Sequence, residues 1–377
     1  MVWKIADNIY SPLGVTTAAN YAAVSQGRSM LRSYEAGTLG VPEPFTASLF
    51  YWDSVPSLEG YTRFERIVIQ SIAEALSQTA IDPHSNRLLF ILATTKGNIG
   101  LLDACPSPYP QERVLPGVAA QAVARHFGFR HQPLVVSNAC ISGLSAQLTA
   151  MRLLQGGAYD VAVVCGADVL SRFIVSGFSS LKALSPCACR PFDIERVGLN
   201  LGEAAATIVY AARPLSSQTA DAGWQAVSGA VRNDAYHISS PSPRGEGCCQ
   251  AIRAALGESP AADLAFINAH GTATLYNDQM ESAAIHRAGL SAVPVNSLKG
   301  YYGHTMGAAG VLETVLSMAA LDHGIIPATR GYEELGVSHP LMLSASHQPT
   351  GKRAFLKLLS GFGGCNAAML FRKGGVS

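Results

Sequence analysis

A cysteine stands where a predicted strand gives way to a predicted helix. Cys140 lies in SNACISGLSAQL (137–148), directly after an apolar run that ends near Asn138. Backbone N–H groups and the positive end of a helix dipole at such a position lower the pKa of a thiol and can hold an oxyanion. Gly143 and Ser145 keep the turn small enough for a substrate to approach. Cys140 is therefore a candidate nucleophile, and a buried structural cysteine is the alternative for this residue taken alone.

A histidine follows a second apolar run. His270 closes AFINAH and is followed at once by Gly271. The pattern predicts an exposed imidazole at the carboxyl end of a strand, where α/β sheets place their ligands. Thr272 and Thr274 point the same way along an extended segment and could hydrogen-bond an amide-bearing ligand. A structural histidine is the alternative here.

A third motif, NSLKGYYGHTMGAAGVLE, combines a lysine, a histidine and a glutamate. His304 lies in a Gly-rich turn before a predicted helix, and Lys299 precedes it. Glu313 lies on that helix and is placed to pair with Lys299. Near the C-terminus, SGFGGCNAAM sets Phe362 among glycines, where a large ring on a flexible loop acts either as a gate or as part of the core.

These residues need a scaffold, and the sequence predicts an α/β one. Short apolar runs without strict alternation predict strands buried on both faces, at 88–94, 133–139, 161–167, 205–212, 265–270, 292–297 and 354–360. Helical periodicity lies between them, at 63–78, 142–155 and 307–321. Strands that alternate with helices indicate a sheet covered by helices.

The sequence also shows a weak internal repeat. The strand and loop at 88–100 are similar to those at 264–278, and the strand, turn and helix at 133–148 are similar to those at 293–314. We interpret this as two related halves with a seam near 212–222. Chance similarity between strand–loop–helix units is the alternative.

Composition narrows the class of protein. The 377 residues are 48% hydrophobic, and 27 basic against 26 acidic residues give a net charge of +1, so there is no electrostatic argument for nucleic acid. Eight cysteines include no C-x-x-C pair, which argues against a zinc site and for reduced thiols. No signal peptide and no apolar run of the ~18 residues that a membrane span needs is recognised, so a cytoplasmic protein is expected.

Taken in order, the motifs resemble those of β-ketoacyl-[acyl-carrier-protein] synthases of the elongating Cys-His-His type. The shared patterns are N-A-C-x-S-G, N-A-H-G-T-x-T, S-L-K-x-x-x-G-H-x-x-G-A-A-G and the closing G-F-G-G-x-N. Further similarity, in segments 11–14, 177–185, 190–206 and 233–247, extends the resemblance over nearly the whole chain. One departure, Gly202-Glu203-Ala204-Ala205 for the more usual G-E-G-A, is interpreted as a loop variation.

The resemblance implies the thiolase fold, in which two related halves form a five-layer α-β-α-β-α sandwich. The N-terminal half (1–212) would carry the nucleophile and the C-terminal half (213–377) both histidines. It also implies a homodimer, or a heterodimer with a ketosynthase-like subunit. An acyl carrier protein would bring the phosphopantetheine arm, so neither a cofactor nor a metal of the chain's own is expected.

The resemblance further implies a role for each motif. Cys140 would take the acyl chain from the carrier thioester, and its N–H would form an oxyanion hole with that of Phe362. His270 and His304 would bind the malonyl thioester carbonyl and promote loss of carbon dioxide.

The remaining residues would support that chemistry. Lys299 and Glu313 resemble the family's structural ion pair, and Thr272 and Thr274 the threonines that hold the pantetheine arm. Phe362 resembles the gating aromatic.

Rivals of this interpretation differ in single residues. A non-catalytic chain-length factor lacks the active cysteine, whereas Cys140 is present. A degradative thiolase would use a second cysteine near the C-terminus, but Cys365 stands where synthases carry a variable residue, and the His304 motif resembles that of synthases. An initiating synthase would carry asparagine in place of one histidine, whereas His304 is present. A non-enzymatic scaffold subunit of a heterodimer stays open. So does the pathway, which is fatty-acid synthesis or a type II polyketide or polyene route.

Overall fold

The computed structural model describes residues 1–103, 107–214 and 223–374. Cys105 and most of the predicted seam, 215–222, lie outside the described residues. The helices are α1 (Thr17–Ser25), α2 (Arg63–Ser77), α3 (Pro116–Phe127), α4 (Ser142–Gln155), α5 (Arg172–Ser180), α6 (Glu246–Leu256), α7 (Leu275–Arg287), α8 (Lys299–Tyr302) and α9 (Ala309–Asp322).

The strands fall into one large sheet and two small ones. They are β1 (Val2–Tyr10), β2 (Arg32–Tyr34), β3 (Phe45–Ser48), β4 (Leu88–Ala93), β5 (Leu134–Val136), β6 (Val161–Asp168), β7 (Leu201–Gly202), β8 (Ala204–Ala211), β9 (Trp224–Asn233), β10 (Leu264–Asn268), β11 (Val295–Asn296), β12 (Ile325–Ile326), β13 (Gln348–Pro349), β14 (Ala354–Gly361) and β15 (Cys365–Lys373).

The large sheet has a mirrored order. Its strands run in the order β11-β10-β14-β15-β9-β1-β8-β6-β4-β5. The five strands of this sheet that precede residue 212 therefore form one half of it, and the five that follow residue 223 form the other half. β4 pairs parallel with β5 and β6, as β10 does with β11 and β14. The two ends meet where β1 pairs antiparallel with β9, at Val2↔Ala226 and Trp3↔Gln225. The domain boundary at 212/213 stays a prediction.

Helices cover the sheet in layers. α2 packs on β1, β8 and β6 and α3 on β5, whereas α6 packs on β9, β15 and β14. Two helices lie between the two ends of the sheet, because α4 contacts both β6 and β9 and α9 contacts both β8 and β14. The result is the predicted five-layer α-β-α-β-α order, and the fold prediction is confirmed.

The sequences of the helices match these positions. α2 begins with a capping box, in which Glu65 N donates to Thr62 Oγ1 at 3.2 Å and Thr62 N donates to Glu65 Oε2 at 3.0 Å. Its apolar residues lie on one face, as in a helix with one exposed side. α9 is mostly apolar and is buried along nearly its whole length, as expected of a central helix, and Glu313 is a charged residue within it.

The two central helices approach each other at glycines. A Cβ added to Gly310 would lie 2.3 Å from the backbone nitrogen of Leu144, and one on Gly143 would lie 2.7 Å from the carbonyl oxygen of Gly307. Only glycine permits this separation. The close packing expected from the Gly-Ala run of the His304 motif is therefore present, and it brings the first turns of α4 and α9 together.

The strands and helices named from the sequence are all present, with shifts of a few residues at their ends. β1, β9 and β15 were not predicted, although they form the middle of the sheet. Among the described residues, no helix combines the length and the apolar character that crossing a membrane requires.

Candidate active site

Three residues that are far apart in sequence meet at one point. One side-chain atom each of Cys140, His270 and His304 lies within 4.8 Å of the other two. The two imidazole rings meet edge to face, with centroids 4.9 Å apart and planes 83° apart. All three side chains are buried. The structure thus brings together the three residues that the sequence singled out.

The fold places them at the carboxyl ends of strands. Cys140 follows β5, His270 follows β10, and the segment after β11 carries Lys299 and His304. Phe362 follows β14. Because the parallel strands of each half end at the same edge of the sheet, residues after different strands share one site.

Cys140 sits on a strained turn before α4. The preceding residue, Ala139, has a φ of +45°, a region that costs a non-glycine residue free energy. Loop 361–364 passes close by, since a Cβ on Gly361 would lie 3.1 Å from the backbone nitrogen of Cys140. Within the described part of the chain, the N–H groups of Cys140 and Phe362 have no hydrogen-bond acceptor. Both are available to an oxyanion.

The environment of the thiol differs from what the sequence predicted. Burial raises the pKa of Cys140 to about 12, and the nearby Cys365 adds to the rise, whereas Lys96 and Lys299 lower it. The expectation of a lowered thiol pKa is therefore wrong. The reason is burial: the free energy needed to remove a charged sulfur from water outweighs the stabilisation that the helix terminus gives to a thiolate. The thiol is protonated at neutral pH, and its attack needs a base.

The two histidines are neutral. Burial lowers the pKa of both well below 6.5, and the positive charge of Lys299 lowers them further. Met306 N donates to His304 Nδ1 at 3.3 Å, so the proton of this ring is on Nε2. Among the described residues, His304 Nε2 is buried and has no partner, and the same is true of His270 Nδ1. The site therefore holds unpartnered imidazole nitrogens beside the thiol.

A buried carboxylate fixes the backbone at His270. The N–H groups of His270 and Gly271 each donate to Glu281 on α7 at 2.7 Å. Asp278, one turn earlier, accepts the N–H of Ala273 and that of Phe192. Neither acid was named from the sequence. The sequence did contain a signal for them, since both acidic residues lie near the start of the helix that follows the His270 loop. Acidic side chains at such positions can accept backbone N–H groups.

Lys299 and Glu313 form a buried ion pair, as predicted, but a second lysine joins them. Lys357 Nζ lies 2.5 Å from Glu313 Oε2, and all three side chains are at most 2% exposed. Two cations therefore share one carboxylate. Lys357 was missed although its position, alone and charged in the apolar strand AFLKLLS, was a signal that a partner lies nearby.

A cavity of about 220 Å³ leads to the three reactive side chains. Thr272 and Thr274 line it, with their hydroxyl oxygens 3.0 Å apart. Tyr276 stands in the same wall and is 72% exposed. The two threonines thus lie where a substrate arm would pass, and their role stays a prediction.

Phe362 separates this cavity from a second one. Its ring is 38% exposed and packs on Phe178 with centroids 5.8 Å apart. The second cavity, of about 180 Å³, also touches Cys140, so the nucleophile lies where the two meet. The gate predicted from the sequence is in a position to act as one, since it belongs to both walls.

Cysteine and histidine side chains are also metal-ligating types. Cys140, His270 and His304 form such a cluster, but the raised pKa of the thiol opposes the thiolate that a metal needs. The arrangement suits a protonated nucleophile with two neutral imidazoles. The expected absence of a metal stays a prediction.

The raised thiol pKa has a consequence for alkylation. We expect the rate at which iodoacetamide modifies Cys140 to rise by about tenfold per pH unit from pH 7 to 9, because only the thiolate reacts. The rate is followed by intact mass, with Cys140→Ala as the blank for the other cysteines. If the alkylation rate instead reached a plateau below pH 8.5, the pKa of about 12 would be contradicted. The helix terminus would then lower the pKa of Cys140, as the sequence predicted.

Comparison with known families gives two adjacent matches. The family model described as the β-ketoacyl synthase N-terminal domain matches residues 18–213. The model described as the β-ketoacyl synthase C-terminal domain matches residues 225–333. The first match contains Cys140, and the second contains both histidines.

Two curated relatives have names that refer to polyketides. The tetracenomycin polyketide synthase ketoacyl synthase alpha subunit of Streptomyces glaucescens is 38% identical over 234 residues, which are 58% of this chain and 55% of that protein. The granaticin polyketide putative β-ketoacyl synthase 1 of Streptomyces violaceoruber is 32% identical over 320 residues, 80% of this chain and 75% of that one. The match thus spans just over half of the first relative and three-quarters of the second.

A solved structure is similar over its full length. The ketosynthase ApeO of Xenorhabdus doucetiae, in complex with its chain length factor ApeC, gives a TM-score of 0.88 at 27% identity. The similarity covers 99% of this chain and 98% of that one.

Proposed function

The chain belongs to the β-ketoacyl synthase family, and on that premise we propose that it is an active 3-oxoacyl-[acyl-carrier-protein] synthase. The observation that supports this most directly is the meeting of Cys140, His270 and His304 at the junction of two cavities. One cavity admits a carrier-bound arm, and the other holds the growing chain. A thiol and two neutral imidazoles are the groups that acyl transfer followed by decarboxylative condensation needs.

The first half-reaction loads the chain. Cys140 Sγ attacks the carbonyl carbon of the acyl–carrier thioester, and a neighbouring imidazole takes the thiol proton, because the thiol is protonated at neutral pH. The N–H groups of Cys140 and Phe362 bind the oxyanion. The bond to the carrier sulfur then breaks, and that sulfur receives the proton.

The second half-reaction extends the chain. The malonyl thioester carbonyl accepts a hydrogen bond from His304 Nε2–H, with His270 beside it. The bond to the carboxylate carbon breaks, carbon dioxide leaves, and the electron pair becomes an enolate. Its carbon attacks the acyl–Cys140 thioester, the Cys140 thiolate leaves, and the thiolate then takes up a proton from water, which restores the starting thiol. Neutral imidazoles stabilise the enolate and do not supply a strong acid that would protonate it.

The partners follow from the same proposal. The acyl carrier protein is the donor in both half-reactions. A ketosynthase-like second subunit is supported by the likeness to ApeO, which was solved with its chain length factor. It is also supported by two exposed apolar side chains: Leu134, on the edge strand β5, is 39% exposed, and Phe173, on α5, is 54% exposed.

The pathway proposal is polyketide synthesis, because the two relatives described above have names that refer to polyketides. A fatty-acid or polyene product, the lack of a cofactor and a cytoplasmic location stay predictions. The alternative, a non-catalytic subunit, is less well supported because the nucleophile and both histidines are present in one site.

The test is a reconstituted reaction. We expect the wild-type chain, incubated with acyl carrier protein loaded with short and medium acyl chains, to gain the mass of one acyl group. Malonyl carrier protein should then discharge it as 3-oxoacyl product. If neither acyl mass nor product is found, with a ketosynthase-like partner also supplied, the chain is a non-catalytic subunit and the proposal is wrong.

A further inference from the structure

The second cavity contains one charged side chain in its wall. It is lined by Thr95, Lys96, Ala139, Cys140, Phe173, Ile174, Gly177, Phe178, Leu181, Met306 and Phe362. Apart from Lys96 and a threonine, this wall would suit a plain hydrocarbon chain. The lysine is thus the feature of the cavity that an apolar substrate does not explain.

The backbone on the N-terminal side of Lys96 is held rigidly. Asp168, at the end of β6 and fully buried, accepts Thr94 Oγ1 at 2.8 Å, Thr95 N at 3.0 Å and Thr95 Oγ1 at 2.9 Å. The same carboxylate accepts Gly307 N at 2.7 Å. Asp168 therefore ties the Lys96 segment to the loop that carries His304.

The C-terminal side is held as well. Asn98 donates to Glu65 Oε1 and to the carbonyl oxygen of Arg113, both at 2.9 Å. The guanidinium of Arg113 pairs with Glu65 in turn. Asp168 thus holds the main chain just before Lys96, and Glu65 holds the side chain of Asn98 two residues after it. The segment that carries Lys96 is therefore anchored on both sides.

The ammonium itself is unpaired. In residues 1–103, 107–214 and 223–374, no carboxylate lies within ion-pair distance of Lys96, and its Nζ donates no hydrogen bond. Its charge reaches the reactive groups, because it lowers the pKa of both Cys140 and His304. A partly buried cation, on an anchored segment and in the same cavity wall as the nucleophile, therefore has no acceptor among the described residues.

A saturated chain in this cavity would shield the Lys96 ammonium from water without offering it a hydrogen-bond acceptor. Burying a charge without such a partner is energetically unfavourable. A chain with an oxygen acceptor would make a charge-assisted hydrogen bond instead. Sites that contain an unpaired polar group select strongly for the ligand that satisfies it.

We propose that Lys96 is a specificity-determining residue that selects oxoacyl chains, whose carbonyl oxygen it binds, over saturated chains of equal length. This inference rests on the proposed function, since it places the chain on Cys140 in the second cavity. It differs from a general effect on the nucleophile, which would change the rate for all chains alike.

The experiment compares hexanoyl, 3-oxohexanoyl and 5-oxohexanoyl carrier thioesters as acyl donors to Cys140, read by intact mass over time. We expect the wild type to accept at least one oxo chain about tenfold faster than hexanoyl, in keeping with the gain from a hydrogen bond to a charged group. Lys96→Met, of similar length and apolar, should bring the ratio within about twofold of unity. Lys96→Arg should retain the preference.

Iodoacetamide supplies the control, because it is small and neutral and reports only on the thiol. Equal slowing of all three chains in Lys96→Met, matched by slower alkylation, would overturn the inference and leave Lys96 acting on Cys140. A wild type without preference would overturn it too. If no carrier thioester acylates wild-type Cys140 although iodoacetamide alkylates it, the proposed function is wrong and the inference falls with it.

Discussion

Replacing Cys140 by alanine is expected to abolish acyl loading and to reduce condensation by about four orders of magnitude or more, the usual effect of removing a covalent nucleophile. No other thiol among the described residues lies between the two imidazoles and the two free N–H groups. The measurement is intact mass after incubation with acyl carrier protein, together with chromatography of the 3-oxoacyl product.

The same variant should retain a partial activity. His270 and His304 are untouched, so Cys140→Ala should still release carbon dioxide from malonyl carrier protein. Cys165→Ala, which alters an equally buried cysteine in β6 away from the site, is the matched control and should load acyl groups like the wild type. An acyl group found on Cys140→Ala would contradict the assignment of Cys140 as the nucleophile. Cys365, which lies close to Phe362, would then be the next candidate.

Replacing Glu313 by glutamine is expected to lower the free energy of unfolding by about 3–5 kcal/mol, the usual effect of breaking a buried ion pair from one side. Glutamine keeps the shape but leaves the ammonium groups of Lys299 and Lys357 without a counter-charge. Both are buried, and burial already lowers the pKa of Lys357 to about 8 even with the carboxylate present. Urea unfolding measures the effect, with the m-value checked for two-state behaviour.

Lys357→Met is the matched control. It removes the second cation and leaves Lys299 and Glu313 as a balanced pair, so its effect should be smaller than about 1.5 kcal/mol, as for a volume-conserving apolar change. If Lys357→Met proves as damaging as Glu313→Gln, the charge argument is wrong and packing around Lys357 accounts for both.

The pH dependence of Glu313→Gln gives a second readout. The folded-state pKa of Lys357 is depressed, to about 8 from 10.5, so between these values the unfolded chain binds more protons than the folded one. The contribution of Lys357 to the free energy of unfolding therefore rises with pH between about 8 and 10.5. Below pH 8 the destabilisation from burying its charge is fully present. Loss of Glu313 removes the charge that raises this pKa, so part of the lost stability should return as the pH is increased.

Much of the fold could be predicted because the parallel strands are buried on both faces. Continuous apolar runs such as LLFILA and VAVVCGAD carry a strong signal. β1 and β9 were missed since they contain charged or small residues, as in VWKIADNIY and WQAVSGAVRN, and lack a continuous apolar run. Their strand state depends on pairing with one another across the centre of the sheet. β15 contains the apolar run AAMLF and could have been recognised from it.

The residues of the candidate site also divide into those that the sequence identified and those that it missed. Cys140, His270, His304, Lys299 and Glu313 each stand at the end of a recognisable element within a motif, so their identity was in the sequence. Lys357 was missed because it acts on Glu313 of α9, 44 residues away in the chain. Glu281 lies only 11 residues after His270, and its place near the start of α7 was a local signal that the sequence analysis did not use.

The sequence by itself determined the family, the strands that carry the motifs and which side chains are available for chemistry, because these depend on residue types and local spacing. Only the tertiary structure decided the state of those groups. The pKa of Cys140 rises and those of the histidines fall because packing removes water from around them, which no local pattern records. Likewise, the unpaired ammonium of Lys96 beside Cys140 follows from the meeting of loops after β4 and β5, a distance set by the assembled sheet.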